Sequence, residues 1–138
     1  GSNRTLQIPE GDSKPIAAGV VVAVQATEDG HAALGYMLLC YLSPATLAAG
    51  PWLTTPDELA GAEQYVLSVS AGDQQAELVL PDPTAIALNL AAERSLDTGD
   101  LIGVLHYLPE LIASTEMTVV VSTEALGTLT SPIETQGE

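Results

Sequence analysis

The side chains that could do chemistry in this sequence are few. His31 and His106 are its imidazoles, Cys40 its single thiol, and Arg94 its one fixed cation after Lys14. Acyl or glycosyl transfer by a nucleophile needs a hydroxyl or thiol beside a base that is itself held by a third group. No serine sits in a Gly-x-Ser-x-Gly elbow, and Cys40 lies in the apolar run Tyr36-Met37-Leu38-Leu39-Cys40-Tyr41-Leu42 with no nearby cation to favour a thiolate. His106, flanked by Leu105 and Tyr107 in a strand-like run, reads as a structural or contact residue. Catalysis is therefore not expected from this inventory, and a hydrolase ranks last among its readings.

Carboxylates are plentiful and could hold a hard cation. Glu28 and Asp29 stand beside His31 in one turn signal, and Asp97 and Asp100 bracket another, so these five are the candidate divalent-metal ligands. They lack the Asp-x-Asp-x-Asp-Gly spacing and distal glutamate of a calcium loop. Arg94 could fork onto a carboxylate of a ligand or partner, or pair with Glu93, Asp97 or Glu77. Together with His106 and Trp52 it forms the candidate contact set. No cofactor is expected: isolated glycines without a following lysine make no phosphate loop.

Charge narrows the partners. Eighteen acids against three Lys and Arg give a net charge of −15 over 138 residues. A phosphate backbone binds by exchanging its counterions for several basic side chains, and an anionic membrane attracts the same groups, so nucleic acid and anionic lipid are excluded as partners. Other protein subunits, including further copies of the chain, remain. The readings that follow are a non-catalytic structural or protein-interaction module, such as a subunit of a surface or virion-type assembly, and as alternative a β-domain that binds a small ligand or divalent cation.

The elements that must position these residues are mostly extended. Ile16–Gln25 and Ala32–Leu42 are apolar on both faces and flank Asp29-Gly30, which predicts a hairpin in the middle of a sheet. Over 64–80, Tyr65, Leu67 and Val69 alternate with Val66, Ser68 and Ser70. The chain then turns at Ala71-Gly72-Asp73-Gln74 and returns with Glu77 on the solvated face, a half-buried hairpin. Leu101–Tyr107 and Glu116–Thr123 read as further strands, with a turn at Leu108-Pro109-Glu110. Ser43-Pro44 to Gly50 predicts a short helical turn, and Thr55-Pro56-Asp57-Glu58 a capped one ending near Gly61.

Residues 83–97 are ambiguous. Asp82-Pro83 and an alanine-rich run favour a helix, while the alternation of Ile86, Leu88, Leu90 and Ala92 favours a strand. The strand reading gives an all-β domain, a single antiparallel β-sandwich or flattened barrel with short helical turns, spanning 16–125 between an N-terminal arm (1–15) and a C-terminal tail (126–138). Of that tail, 126–130 extends the last strand or hangs from the edge, and 131–138 is expected to be mobile or to reach toward a neighbour. The helix reading gives α+β. No Phe and a single Trp leave Leu, Val and Ala to fill a thin core.

Overall fold

The computed structural model describes residues 5–44, 46–56 and 64–135, with the side chain of Trp52 left out. Nine strands and one helix are present among these residues. In chain order they are β1 (Leu6–Ile8), β2 (Ser13–Thr27), β3 (Gly30–Ser43), β4 (Thr46–Thr54), β5 (Gln64–Ala71), β6 (Gln74–Pro81), α1 (Pro83–Arg94), β7 (Leu101–Ser114), β8 (Thr118–Thr123) and β9 (Gly127–Thr135). They form a four-stranded sheet, β4-β3-β2-β7, and a five-stranded sheet, β1-β9-β8-β5-β6. The protein is thus mostly β, in two sheets with one helix, and the strands do not close into a barrel. One pairing departs from the antiparallel expectation: β1 runs parallel to β9, from Leu6↔Ile133 to Ile8↔Thr135.

The predicted central hairpin is β2–β3, in register from Ala17↔Tyr41 to Thr27↔Gly30, with an irregularity at Ala23/Val24. β2 also pairs antiparallel with β7, and so lies between two neighbours for most of its length. Its even positions, Ile16, Ala18, Val20, Val22 and Val24, join the core shared with the five-stranded sheet. Its odd positions, Ala17, Gly19, Val21 and Ala23, face the opposite way and carry no charge. At Gly19 the strands come so close that a Cβ would press into the Val104 carbonyl oxygen of β7. Only glycine allows that approach.

Residues 83–94 are helical, which corrects the strand reading. The Asp82 carboxylate caps the helix by accepting from the Ala85 amide at 3.1 Å, and Pro83 takes the first turn, where its missing N–H costs nothing. Pro83, Ala87 and Ala91 are the buried residues, spaced by four, so the helix rests on the core along a strip of small side chains. Tyr36 reaches Thr84 Oγ1 at 2.7 Å and ties β3 to the first turn.

Three other expectations change. The helical turn over 44–49 gives way to β4, paired to β3 from Tyr36↔Thr54 to Ser43↔Thr46. Pro109 does not end its strand: the β2 register jumps from Ile16↔Leu108 to Pro15↔Ile112, so residues 109–111 bulge and the strand continues. Of the tail expected to be mobile over 131–138, residues 131–135 are instead part of β9 between β1 and β8, and 136–138 lie outside the described residues. The capped turn expected at 55–61 falls mainly outside the described residues. Hairpin β5–β6 forms as expected, from Gln64↔Pro81 to Ala71↔Gln74.

Two outcomes follow from this packing. Gly19→Ala should lower stability by about 3 kcal/mol, the upper end of overpacking costs, because the obstacle is backbone. Gly35→Ala meets only the Leu53 side chain and should cost less in the same chemical denaturation series. Cys40 is fully buried, and desolvation pushes its thiol from 9.0 up to about 12. A raised folded-state value favours the protonated form, so this contribution to stability is intact below pH 9 and is lost as pH rises toward about 12. A thiol reagent at pH 8 should label the native chain only at its unfolding rate.

Candidate functional site

The outer face of the five-stranded sheet carries a concave surface lined by described residues of β5, β6, β8 and β9. Strand alternation builds it: Tyr65, Leu67, Val69 and Ala71 are buried beneath β5, and Val66, Ser68 and Ser70 project outward. Register then aligns polar groups across four strands. Glu77 of β6 is opposite Ser68, Ser68 is opposite Ser122 of β8, and Ser122 is opposite Thr128 of β9. A second row runs Gln75, Ser70, Val120, Thr130. Adjacent strands are spaced about 4.8 Å, so each row offers hydrogen-bonding groups at regular steps.

Two adjoining open hollows of about 530 and 510 Å³ occupy this face and share Ser68, Glu77 and Ser122 as lining. Glu124 extends the second. The hydroxyls donate and accept, Gln75 does both, and the two carboxylates only accept. Among the described residues, no Lys, Arg or His lines either hollow. Both histidines belong to the other sheet, His31 on β3 and His106 on β7, so neither activates these hydroxyls.

The five carboxylate and imidazole candidates come together only in part. The tip of the β2–β3 hairpin is clamped to the loop after α1. Val24 N donates to Asp100 O at 2.9 Å, Gly99 N to Val24 O at 2.8 Å, and Ala26 N to Thr98 Oγ1 at 2.9 Å. His31 Nε2 donates to the Leu96 carbonyl at 2.7 Å, which fixes its tautomer and leaves Nδ1 buried without a partner. Asp100 accepts from the Asp97 amide at 2.8 Å and so shapes its own turn. Glu28 and Asp29 are exposed at the hairpin tip. No group of three His, Cys, Asp or Glu suited to a metal ion occurs among the described residues.

The contact candidates are dispersed. Arg94 is exposed in the last turn of α1, where a cation suits the helix dipole, and no ion pair joins it to an acid among the described residues. His106 is exposed on β7, and Trp52 falls within β4. The hydroxyl rows leave no signal of a site in the sequence, because each strand by itself shows only a solvated face. They exist only once four strands are in register.

No family model matches the chain, and no curated protein matches it in sequence. Solved structures do match its fold. A 2-keto-3-deoxy-D-arabinonate dehydratase complexed with magnesium and 2,5-dioxopentanoate superposes with a TM-score of 0.72 at 13% identity, over 99% of this chain and 59% of that one. Maleylpyruvate hydrolase from Sphingobium sp. SYK-6 gives 0.69 at 18% identity, over 99% and 62%. Fumarylpyruvate hydrolase from Pseudomonas aeruginosa in complex with Mn²⁺ and pyruvate gives 0.69 at 13%, over 98% and 74%. The chain thus spans about three-fifths of the length of the first two.

These comparisons correct the functional expectation. The structures that share the fold are dehydratases, hydrolases and isomerases, which overturns the reading of a non-catalytic module built for surface or virion-type assemblies. Two of them hold Mg²⁺ or Mn²⁺. Such ions are held by converging oxygen ligands with carboxylates among them, and the described residues of this chain do not fit that demand. The clamp at the hairpin tip has its own consequence. Replacing His31 with Ala should cost about 1–2 kcal/mol and speed amide exchange at Gly99 and Val24, with no change in response to zinc. Zinc-dependent stabilisation that disappears in the variant would instead make His31 a ligand.

Proposed function

We propose that this chain is the substrate-binding β-domain of an enzyme acting on a small polar organic molecule, and that the molecule lies in the hydroxyl-lined trough of the five-stranded sheet. The row Glu77–Ser68–Ser122–Thr128, carried on a fold shared with enzymes, supports the reading. Each hollow is of a size that takes a small molecule.

Charge selects the ligand class. A carboxylate brought within about 4 Å of Glu77 at the protein surface, with no cation between them, would be repelled by up to ~4 kcal/mol. The chain's net −15 adds to that field at low salt. The short oxo acids named for the structural neighbours are therefore poor free ligands for this trough. A neutral polyhydroxy compound suits it better, because sheet rows of Ser, Thr and Gln can exchange donors and acceptors with successive hydroxyls. Glu77, beside Ser68 in register, is the proton acceptor of the site. A small amine is the second reading, favoured by Glu77 and Glu124 together.

Amide chemical-shift mapping with a panel of neutral polyols, simple diamines and pyruvate tests this. Polyols should move the signals of Ser68, Ser70, Ser122 and Thr128, and pyruvate should not. Ser122→Ala should weaken binding about fivefold, the worth of one hydrogen bond. Binding should persist in the presence of a metal chelator. Shifts confined to Asp97–Asp100, or binding that a chelator abolishes, would overturn the assignment.

A further inference from the structure

β7 lies at the edge of the four-stranded sheet and is paired on one side only, to β2. Sheet edges are normally guarded by charge, proline or a covering element, because unpaired backbone groups recruit other strands. Here the guard is confined to one end. Pro109 and Glu110 interrupt the edge, and the Gln74 side chain then occupies Ile112, donating to its carbonyl at 3.2 Å and accepting from its amide at 3.3 Å. From Leu101 to Leu108 no Asp, Glu, Lys or Arg occurs.

The same stretch holds the two most exposed large apolar side chains among the described residues, Leu101 at 58% and Tyr107 at 53%. Both occupy odd positions, as do Gly103 and Leu105, and odd positions of β7 pair in register with the odd positions of β2 on the outer face. Their spacing is symmetric about Val104. A second β7 laid antiparallel with Val104 opposite Val104 places Leu101 against Tyr107 of the partner subunit and Gly103 against Leu105 of the partner subunit, twice over. Bulk meets bulk at the ends and a large side chain meets a glycine near the middle. No acid meets an acid: Asp100 comes opposite Leu108 of the partner subunit.

We propose that β7 pairs with β7 of a second copy of this chain across a two-fold axis at Val104, joining the two four-stranded sheets into one eight-stranded sheet. The interface is isologous and uncharged. Repulsion between two chains of net charge −15 acts on it only at long range. Salt screens that repulsion without touching the contacts, so the dimer tightens as ionic strength rises.

Sedimentation equilibrium of the full chain tests this. Raising NaCl from about 20 mM to about 0.5 M should strengthen dimerisation at least tenfold, the reverse of an interface held by ion pairs. Leu101→Glu and Tyr107→Lys should each yield monomers with unchanged circular dichroism, since both sites are exposed. An equimolar mixture of the two should dimerise, because the new carboxylate then faces the new ammonium while the remaining contact stays native. A monomer at all salt concentrations, a dimer indifferent to both substitutions, or variants that stay monomeric when mixed would each overturn the proposal.

Discussion

Everything in this fold is referred to β2, a strand that must be apolar on both faces and small on one. It is paired on both sides, to β3 and β7, and its even positions meet the core beneath α1 and the five-stranded sheet. The approach at Gly19 fixes how near β7 lies. A larger residue there would open the pairing at its centre. It would also shift the loop after α1, which is bonded to β2 through Val24 and Ala26. The composition follows from the same constraint. Without Phe, and with Ala18, Ala87, Ala91 and Ala113 inside, layers sit close and the helix needs no large anchors.

The acids are placed with the same economy. Eighteen carboxylates on a chain with three Lys and Arg would cost most where they face one another at short range. Among the described residues they are absent from β3 and from the paired span of β2 between Pro15 and Thr27; most lie in turns, loops and the helix end, with Glu77, Glu110 and Glu134 on strands. Asp82 and Asp100 turn their charge to structural use by accepting backbone amides. The result is a molecule whose net charge disfavours anions as ligands.

How much of this could be read in the sequence depended on whether the deciding interaction was local. Hairpins β2–β3 and β5–β6 are set by a turn pair and by alternation, both visible within about 20 residues. The helix was not decided by its own pattern. Asp82-Pro83 supplied a start signal, but Ile86, Leu88 and Leu90 alternate as a strand would. What settles the matter is the shallow surface offered by β2, β3 and β7, which buries Pro83, Ala87 and Ala91 fully and takes Leu88 and Leu90 at its margin. Pro109 misled for the converse reason: a bulge absorbs it at a strand edge, where its missing N–H removes no ladder bond. The candidate binding surface was the least legible part. Ser68, Glu77, Ser122 and Thr128 are spread over 61 positions in four strands and carry no spacing signature. The metal candidates at 28–31 and 97–100 did converge on one corner, but as a backbone clamp.

The two sheets have consequently taken up different work. The five-stranded sheet follows the alternation of a half-solvated layer: one face in the core, the other wet, polar and concave. The four-stranded sheet is apolar on both faces, which an antiparallel layer covered on one side does not require. On its outer face Tyr107 meets Tyr41 edge-to-face with ring centroids 6.4 Å apart, yet it and Leu101 both remain more than half exposed. A polar residue at 101 would favour solubility. The pairing proposed for β7 would bury both beside the strand edge that lacks a guard, and it would leave the trough on the opposite sheet open to solvent.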